Sequence, residues 1–182
     1  MLITLSGIHG LGKTTFVNNF LTEKPLFKIV DIDLVPERKE KEEEQLERLK
    51  YFHKVLKKVK DCKIDVLIDR SPIDFHVYID WWLGNIKEYP KLNKKLKKVI
   101  NDYKKINYKN IIVYEDLNIV WERVLKRARN KYDEANFKYF KYCYNKFYNQ
   151  KGENFKKLTG IESDFIHLNK LPKEVKKFLN KS

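Results

Sequence analysis

Apolar and polar positions along the chain fall into two alternating kinds of segment. Short runs rich in β-branched and aromatic residues occur at Leu2–Leu5, Phe27–Leu34, Ile64–Ile68, Ile111–Tyr114 and Phe165–Leu168, and such runs read as buried strands. Between them, apolar residues return at three- and four-residue spacing over Lys13–Leu21, Lys39–Lys60, Ile73–Leu83, Leu92–Lys105, Asn118–Arg129, Glu134–Asn149 and Lys173–Leu179, the period of amphipathic helices. Glu37–Glu47 is densely charged, yet Leu46, Leu49, Phe52, Val55, Leu56 and Val59 follow at helical spacing, so it reads as the exposed start of a long helix. Strands alternating with helices predict an α/β three-layer sandwich around a five-stranded parallel sheet covered on both faces. No internal repeat or flexible linker interrupts residues 1–182, so one domain is expected.

Composition narrows the class. At 42% hydrophobic and 14% aromatic residues the chain is too apolar for disorder, and 182 residues suffice for a full core. Cys62 and Cys143 are far apart and lack metal or redox spacing. No apolar run approaches the roughly 18 residues that span a bilayer, and no charged-then-apolar leader is evident. A soluble, cytoplasmic protein with no membrane partner is therefore expected. The formal charge of +14 comes from 33 Lys and only 6 Arg. The lysines are spread over nearly every amphipathic segment and read as solvated helix faces first. Four of the six arginines, Arg70, Arg123, Arg127 and Arg129, fall in two short segments, which suggests bidentate anion contacts that Lys makes less well.

The most specific chemistry lies at the start. Gly7-Ile8-His9-Gly10-Leu11-Gly12-Lys13-Thr14-Thr15 fits G-x-x-x-x-G-K-[ST] between the first strand and the first helix. Three of the six glycines sit in this stretch. Glycine allows positive φ and close backbone approach, so successive amides can surround phosphate oxygens at a helix N-terminus. Lys13 would reach the β and γ phosphates of ATP and the Thr14 hydroxyl would hold Mg²⁺. His9 either lines the phosphate path or is an ordinary loop residue. Asp69 closes the apolar strand Ile64–Ile68 and would sit beside the loop as a second metal ligand, with a helix cap as its alternative role because Ser71-Pro72-Ile73-Asp74 is also cap chemistry. Arg123 and Arg127 share a helix face, with Arg129 just beyond, and three such cations around 121–133 suggest a lid that closes over a transferring phosphoryl group.

Taken together, the P-loop, Asp69-Arg70-Ser71 and the Arg123, Arg127, Arg129 segment resemble the thymidylate kinase and deoxynucleoside kinase group of P-loop kinases. The resemblance implies the P-loop-containing nucleoside triphosphate hydrolase fold and places Arg70 on the acceptor side, the three later arginines in the lid and Asn169–Pro172 at the adenine. It also implies a carboxylate near the end of the second strand that faces the acceptor. Asp33 is the first choice for orienting the acceptor hydroxyl, with Asp31 and Glu37 next. The chain departs from the group at His9, where thymidylate kinases usually carry Asp, and at the end of that strand. Phe75, Tyr78, Trp81 and Trp82 are candidates for stacking on an acceptor base or for the core; Tyr139, Tyr142, Tyr144 and Phe147 read as packing. The expected function is ATP- and Mg²⁺-dependent phosphoryl transfer to a nucleoside, nucleoside monophosphate or related small acceptor, and the group's habits allow a homodimer. The charge keeps a nucleic-acid partner open, as a P-loop ATPase or polynucleotide kinase, and a nucleotide-binding regulatory protein is the third reading.

Overall fold

The structure is a computed structural model, and it describes residues 1–23, 28–30, 41–61, 64–127, 137–148 and 153–179. The strands are β1 (Leu2–Ser6), β2 (Lys28–Val30), β3 (Val66–Ile68), β4 (Tyr108–Tyr114) and β5 (Ser163–His167), all parallel, in the order β2-β3-β1-β4-β5. β3, β1, β4 and β5 form the body of the sheet, and β2 adds a three-residue backbone ladder at one edge. The central strands are near-continuous apolar runs, as burial on both faces requires: Leu2, Ile3, Leu5, Leu67, Ile68, Ile111, Ile112 and Val113 are all fully buried.

The helices are α1 (Lys13–Glu23), α2 (Lys41–Lys60), α3 (Pro72–Leu83), α4 (Pro90–Tyr103), α5 (Leu117–Arg127), α6 (Phe137–Tyr148), α7 (Glu153–Thr159) and α8 (Leu171–Leu179). From β1 the chain moves outward to β2, then returns through β3 and crosses to β4. Right-handed crossovers therefore put α1 and α2 on opposite faces. The loops after β1 and β3 leave in opposite directions, which opens a crevice between the carboxyl ends of those neighbouring strands, the usual ligand position in such sheets. Gly7 and Asp69 are the first residues past those two ends.

One polar row crosses this apolar sheet. Thr4, Asn110 and Ser163 are aligned across β1, β4 and β5. The Thr4 hydroxyl donates to Asn110 Oδ1 at 2.8 Å and lies 2.6 Å from the Tyr103 hydroxyl of α4, while Asn110 Nδ2 donates to Ser163 at 2.7 Å. Ser6 extends the network, donating to Asn110 Oδ1 at 3.1 Å and lying 2.6 Å from Ser71 Oγ at the start of α3. Each buried polar group is thus satisfied, as burial demands, and the end of β1 is tied to the start of α3.

Beyond shifts of a few residues at element ends, the observed elements differ from the expected ones in three places. β4 starts at Tyr108, three residues before the apolar run, because Tyr108 stacks on Tyr103 at 4.4 Å, Lys109 pairs with Asp164 at 2.5 Å and Asn110 joins the polar row. The strand expected over Phe27–Leu34 is paired at Lys28–Val30, and its remainder lies outside the described residues. α7 was not foreseen, since among its described side chains only Phe155 is a buried apolar anchor.

Candidate active site

The turn after β1 divides its amides into two groups. The first three donate to side chains brought from elsewhere in the fold: Gly7 N to Asp74 Oδ1, Ile8 N to the Tyr148 hydroxyl and His9 N to the Tyr78 hydroxyl, each at 3.2 Å. Among the described residues, the amides of Gly10, Gly12, Thr14 and Thr15 donate to no protein acceptor, and the ladder of α1 begins with Phe16 N donating to Gly12 O at 2.8 Å. A run of converging, unsatisfied N–H groups at a helix start is an anion cradle. No carboxylate occupies the first turn of α1 to compete for it.

Lys13 lies under this cradle. Its side chain is 4% exposed, and Nζ donates to Gly7 O at 2.8 Å and Ile8 O at 3.0 Å. It also stands 3.9 Å from Asp69 Oδ1. Gly10 meets α5 closely: a Cβ there would lie 2.6 Å from Val124 Cγ2 and 3.2 Å from Val120 Cγ1. The middle of the turn therefore rests on the helix that carries Arg123.

The end of β3 supplies the opposite wall. The Thr14 hydroxyl donates to Asp69 Oδ2, and Asp69 Oδ1 is buried without a hydrogen-bond partner. Among the described residues no group of three or more His, Cys, Asp or Glu side chains could cage a metal. A phosphate-linked Mg²⁺ needs no cage, because it takes one or two protein oxygens and completes its shell with phosphate and water. Asp69 and Thr14 fit that demand, with the open carboxylate oxygen as the reason.

Ser71 caps α3 in a reciprocal box: its hydroxyl accepts from Ile73 N at 3.1 Å, while Asp74 Oδ2 accepts from Ser71 N at 2.8 Å. The second oxygen of Asp74 is the one that holds Gly7 N. Burial pushes the Asp74 carboxyl upward, opposed by the charges of Arg70 and Lys13 and by its hydrogen bonds. Arg70 stands 3.8 Å from Asp74 and places its guanidinium 5.5 Å from the centre of the Tyr78 ring. Burial likewise drives the Tyr78 and Tyr148 hydroxyls well above the ordinary tyrosine range, which keeps both neutral and able to accept from an amide.

The structure thus brings Gly7–Thr15, Asp69 and Arg70 to one crevice, with Arg123 half-buried on the neighbouring α5. Arg127 is the last residue of α5; its side chain, and the whole of Arg129, Asp31, Asp33 and Glu37, lie outside the described residues. The expected lid segment 121–133 is helical as far as residue 127, with the rest also outside them. His9 is half-buried, its ring edge-on to Phe140 at 5.3 Å, and its amide rather than its imidazole binds Tyr78. Phe75 is a core residue packed on Phe52 at 5.4 Å, and the Trp81 and Trp82 side chains are outside the described part. Asn169 is bound by His167 next to Glu115, at the carboxyl ends of β5 and β4.

Sequence reasoning missed the braces. Asp74 carried a local signal, the S-x-x-D spacing of a cap, but its bond to Gly7 depends on α3 docking under β1. Tyr148 carried none. Its hydroxyl accepts from Ile8 N and donates to Val113 O at 2.8 Å. Tyr148→Phe leaves both groups without that partner and opens no cavity, so a loss of about 1–3 kcal/mol is expected, read as a lower midpoint in denaturant with an unchanged slope.

No protein-family model matches the chain, and no curated protein matches its sequence. Solved structures do match over its whole length. A deoxyadenosine kinase from M. mycoides with the products dCMP and a flexible dCDP bound is 16% identical, with a TM-score of 0.64 and 100% of each chain covered. That enzyme with dATP bound is 14% identical, TM-score 0.63, covering 100% of this chain and 98% of its own. The YorR protein from Bacillus subtilis, in complex with phosphorylated GDP, is 15% identical, TM-score 0.60, covering 99% and 96%. The likeness is one of fold: the chain has the fold of P-loop kinases of the deoxynucleoside kinase kind.

Proposed function

We propose that this protein is an ATP- and Mg²⁺-dependent kinase that phosphorylates a nucleoside, a nucleoside monophosphate or a related small acceptor. The observation that carries this reading is that, among the described residues, the amides of Gly10, Gly12, Thr14 and Thr15 have no protein acceptor, beside the buried Lys13 ammonium. The fold likeness to a deoxyadenosine kinase supports the acceptor class.

The residues divide the work by position. The amides of Gly10, Gly12, Thr14 and Thr15 bind polyphosphate oxygens, and Lys13 turns from the carbonyls of Gly7 and Ile8 to the transferring group. Thr14 and Asp69 would hold Mg²⁺, which would supply positive charge against that of the phosphates. Arg70, steadied by Asp74 and Tyr78, faces the acceptor, and Asp33 orients the acceptor hydroxyl and takes its proton. Arg123, Arg127 and Arg129 close over the phosphoryl group from α5 and the segment after it, stabilising equatorial charge and excluding water.

The direct test measures ADP release with ATP and Mg²⁺ over a panel of deoxynucleosides, ribonucleosides and their monophosphates. Turnover with at least one is expected; nucleotide binding without turnover on any of them would overturn the kinase reading. A second expectation concerns the metal. Asp69→Asn keeps an acceptor for Thr14 but removes the charge, so the Mg²⁺ concentration for half-maximal rate should rise about 10- to 100-fold, as for other weakened metal ligation.

A further inference from the structure

The strongest feature outside the crevice lies on the layer formed by α2 and α4. On α2, Lys50, Lys54 and Lys57 are spaced by four and three residues, and on α4, Lys91, Lys95 and Lys98 repeat that spacing. Residues so spaced share one helix face. The two helices pack directly on one another, and the seam is bridged by Lys95, whose Nζ lies 2.8 Å from Nδ1 of the buried His53 of α2. The opposite nitrogen of His53 meets Asp102 Oδ2 at 2.8 Å. Lys95, itself part of the α4 stripe, is thereby fixed at the seam. Desolvation, followed by the positive charges of Lys98, Lys57 and Lys50, lowers its ammonium below the ordinary lysine value, with Asp102 opposing.

Nothing in the fold requires this crowding of like charge. The inward side of α4 is satisfied by Leu92, Leu96, Val99, Ile100 and Tyr103, and the outward side carries no apolar patch for a second copy of the chain. The acids within reach stand at the margins: Glu47 pairs with Lys50 at 2.7 Å, and Asp102 serves His53 and Lys105. α2 and α4 both lead into the starts of strands, β3 and β4, so the stripes run toward the sheet edge opposite the P-loop.

We infer that the paired lysine stripes of α2 and α4 form a docking surface for the phosphate backbone of a nucleic-acid strand, separate from the P-loop crevice. Charge complementarity selects this partner. With contacts made to phosphate alone, the surface is indifferent to base sequence.

The test is fluorescence anisotropy with a labelled single-stranded oligonucleotide, titrated with the full-length protein over a series of salt concentrations. Parent protein should bind with a log–log salt slope of about −2 to −3, the value for three to four neutralised phosphates. The triple variant Lys54→Gln, Lys57→Gln, Lys98→Gln removes only mutual repulsion from the fold, and should weaken binding at least tenfold and flatten the slope by about 2. Lys13→Ala should bind the oligonucleotide like the parent. Three results would each overturn the inference: no salt-dependent binding; equal weakening by the charge-matched control Lys138→Gln, Lys141→Gln, Lys173→Gln; or loss of binding with Lys13→Ala and none with the stripe variant. Stripe-dependent binding to phosphatidylserine vesicles without oligonucleotide binding would replace it with a membrane surface. None of these results bears on small-acceptor turnover, which is measured separately.

Discussion

Lys13→Ala is expected to lower phosphoryl transfer about 10³-fold or more while leaving the protein folded. A single preorganised donor aimed at developing charge contributes about 10²–10³ in rate, and Lys13 adds a full positive charge to the hydrogen bond. The ammonium is held in reserve by two backbone carbonyls, Gly7 O and Ile8 O, at 2.8 and 3.0 Å, and by Asp69 at 3.9 Å. None of these partners is a committed one: a carbonyl has a second lone pair, and Asp69 keeps its bond to Thr14. Removing the side chain deletes a charge that was itself costly to bury but leaves Asp69 without its neighbouring cation, so a lower stability in a still folded protein is expected. The split to measure is equilibrium nucleotide affinity against kcat. Binding should weaken modestly because the amides remain, and kcat should carry most of the loss. Retention of more than a tenth of the parent kcat would sink the assigned role.

How much of this was readable beforehand follows the range of the forces involved. The P-loop, the Asp69-Arg70-Ser71 strand end and the cap at Ser71 are written within a few residues of one another, because positive φ, a strand terminus and an N-cap are local demands. The alternation of elements implies a parallel sheet, whereas the strand order around β1 is a matter of tertiary packing that the alternation leaves open. The bonds that shape the loop are different in kind. Tyr78 sits 69 residues from His9, and Tyr148 sits 140 from Ile8; only tertiary docking of α3 and α6 brings them there. The aromatic positions of α3 were open between core and substrate stacking. Tyr78 does neither alone, since its hydroxyl braces the loop and its ring faces Arg70. The polar beginning of β4 was hidden for a related reason: Asn110 is tolerable in a buried strand only because Thr4, Ser6 and Ser163 meet it.

The braces give the turn and the lid helix a common fate. Val120 and Val124 of α5 touch the middle of the turn at Gly10, while Trp121 of the same helix packs on Phe137 and Phe140 of α6 at 5.2 and 5.1 Å. α6 in turn delivers Tyr148 to Ile8. The two helices flanking the expected lid are thus both anchored on the turn after β1. The turn is thereby a fixed point for α5 and for the Arg123 that it carries.

Gly7→Ala is the substitution expected to damage that fixed point most. Gly7 has φ +136°, in the region that L side chains rarely adopt, and a strained residue of this kind costs about 1–3 kcal/mol. Space compounds the strain. A Cβ would lie 2.6 Å from Val113 O, 2.8 Å from Leu11 Cδ1 and 3.0 Å from the Tyr148 hydroxyl. Val113 cannot yield easily, because its strand is paired with β1 on one side and β5 on the other and its carbonyl accepts from Tyr148. Leu11 is fully buried. Relief must come from the turn itself, which would carry Gly7 N away from Asp74 and the Gly7 carbonyl away from Lys13. Strain, overlap and the lost bonds together should reach about 4 kcal/mol, at the upper end for single substitutions. In a chain of this size that corresponds to a fall in Tm of about 8–16 °C, accompanied by loss of nucleotide-induced thermal stabilisation. A Gly7→Ala protein that melted within about 3 °C of the parent and still gained stability from ATP would show that the loop accommodates a side chain, contrary to the geometry described.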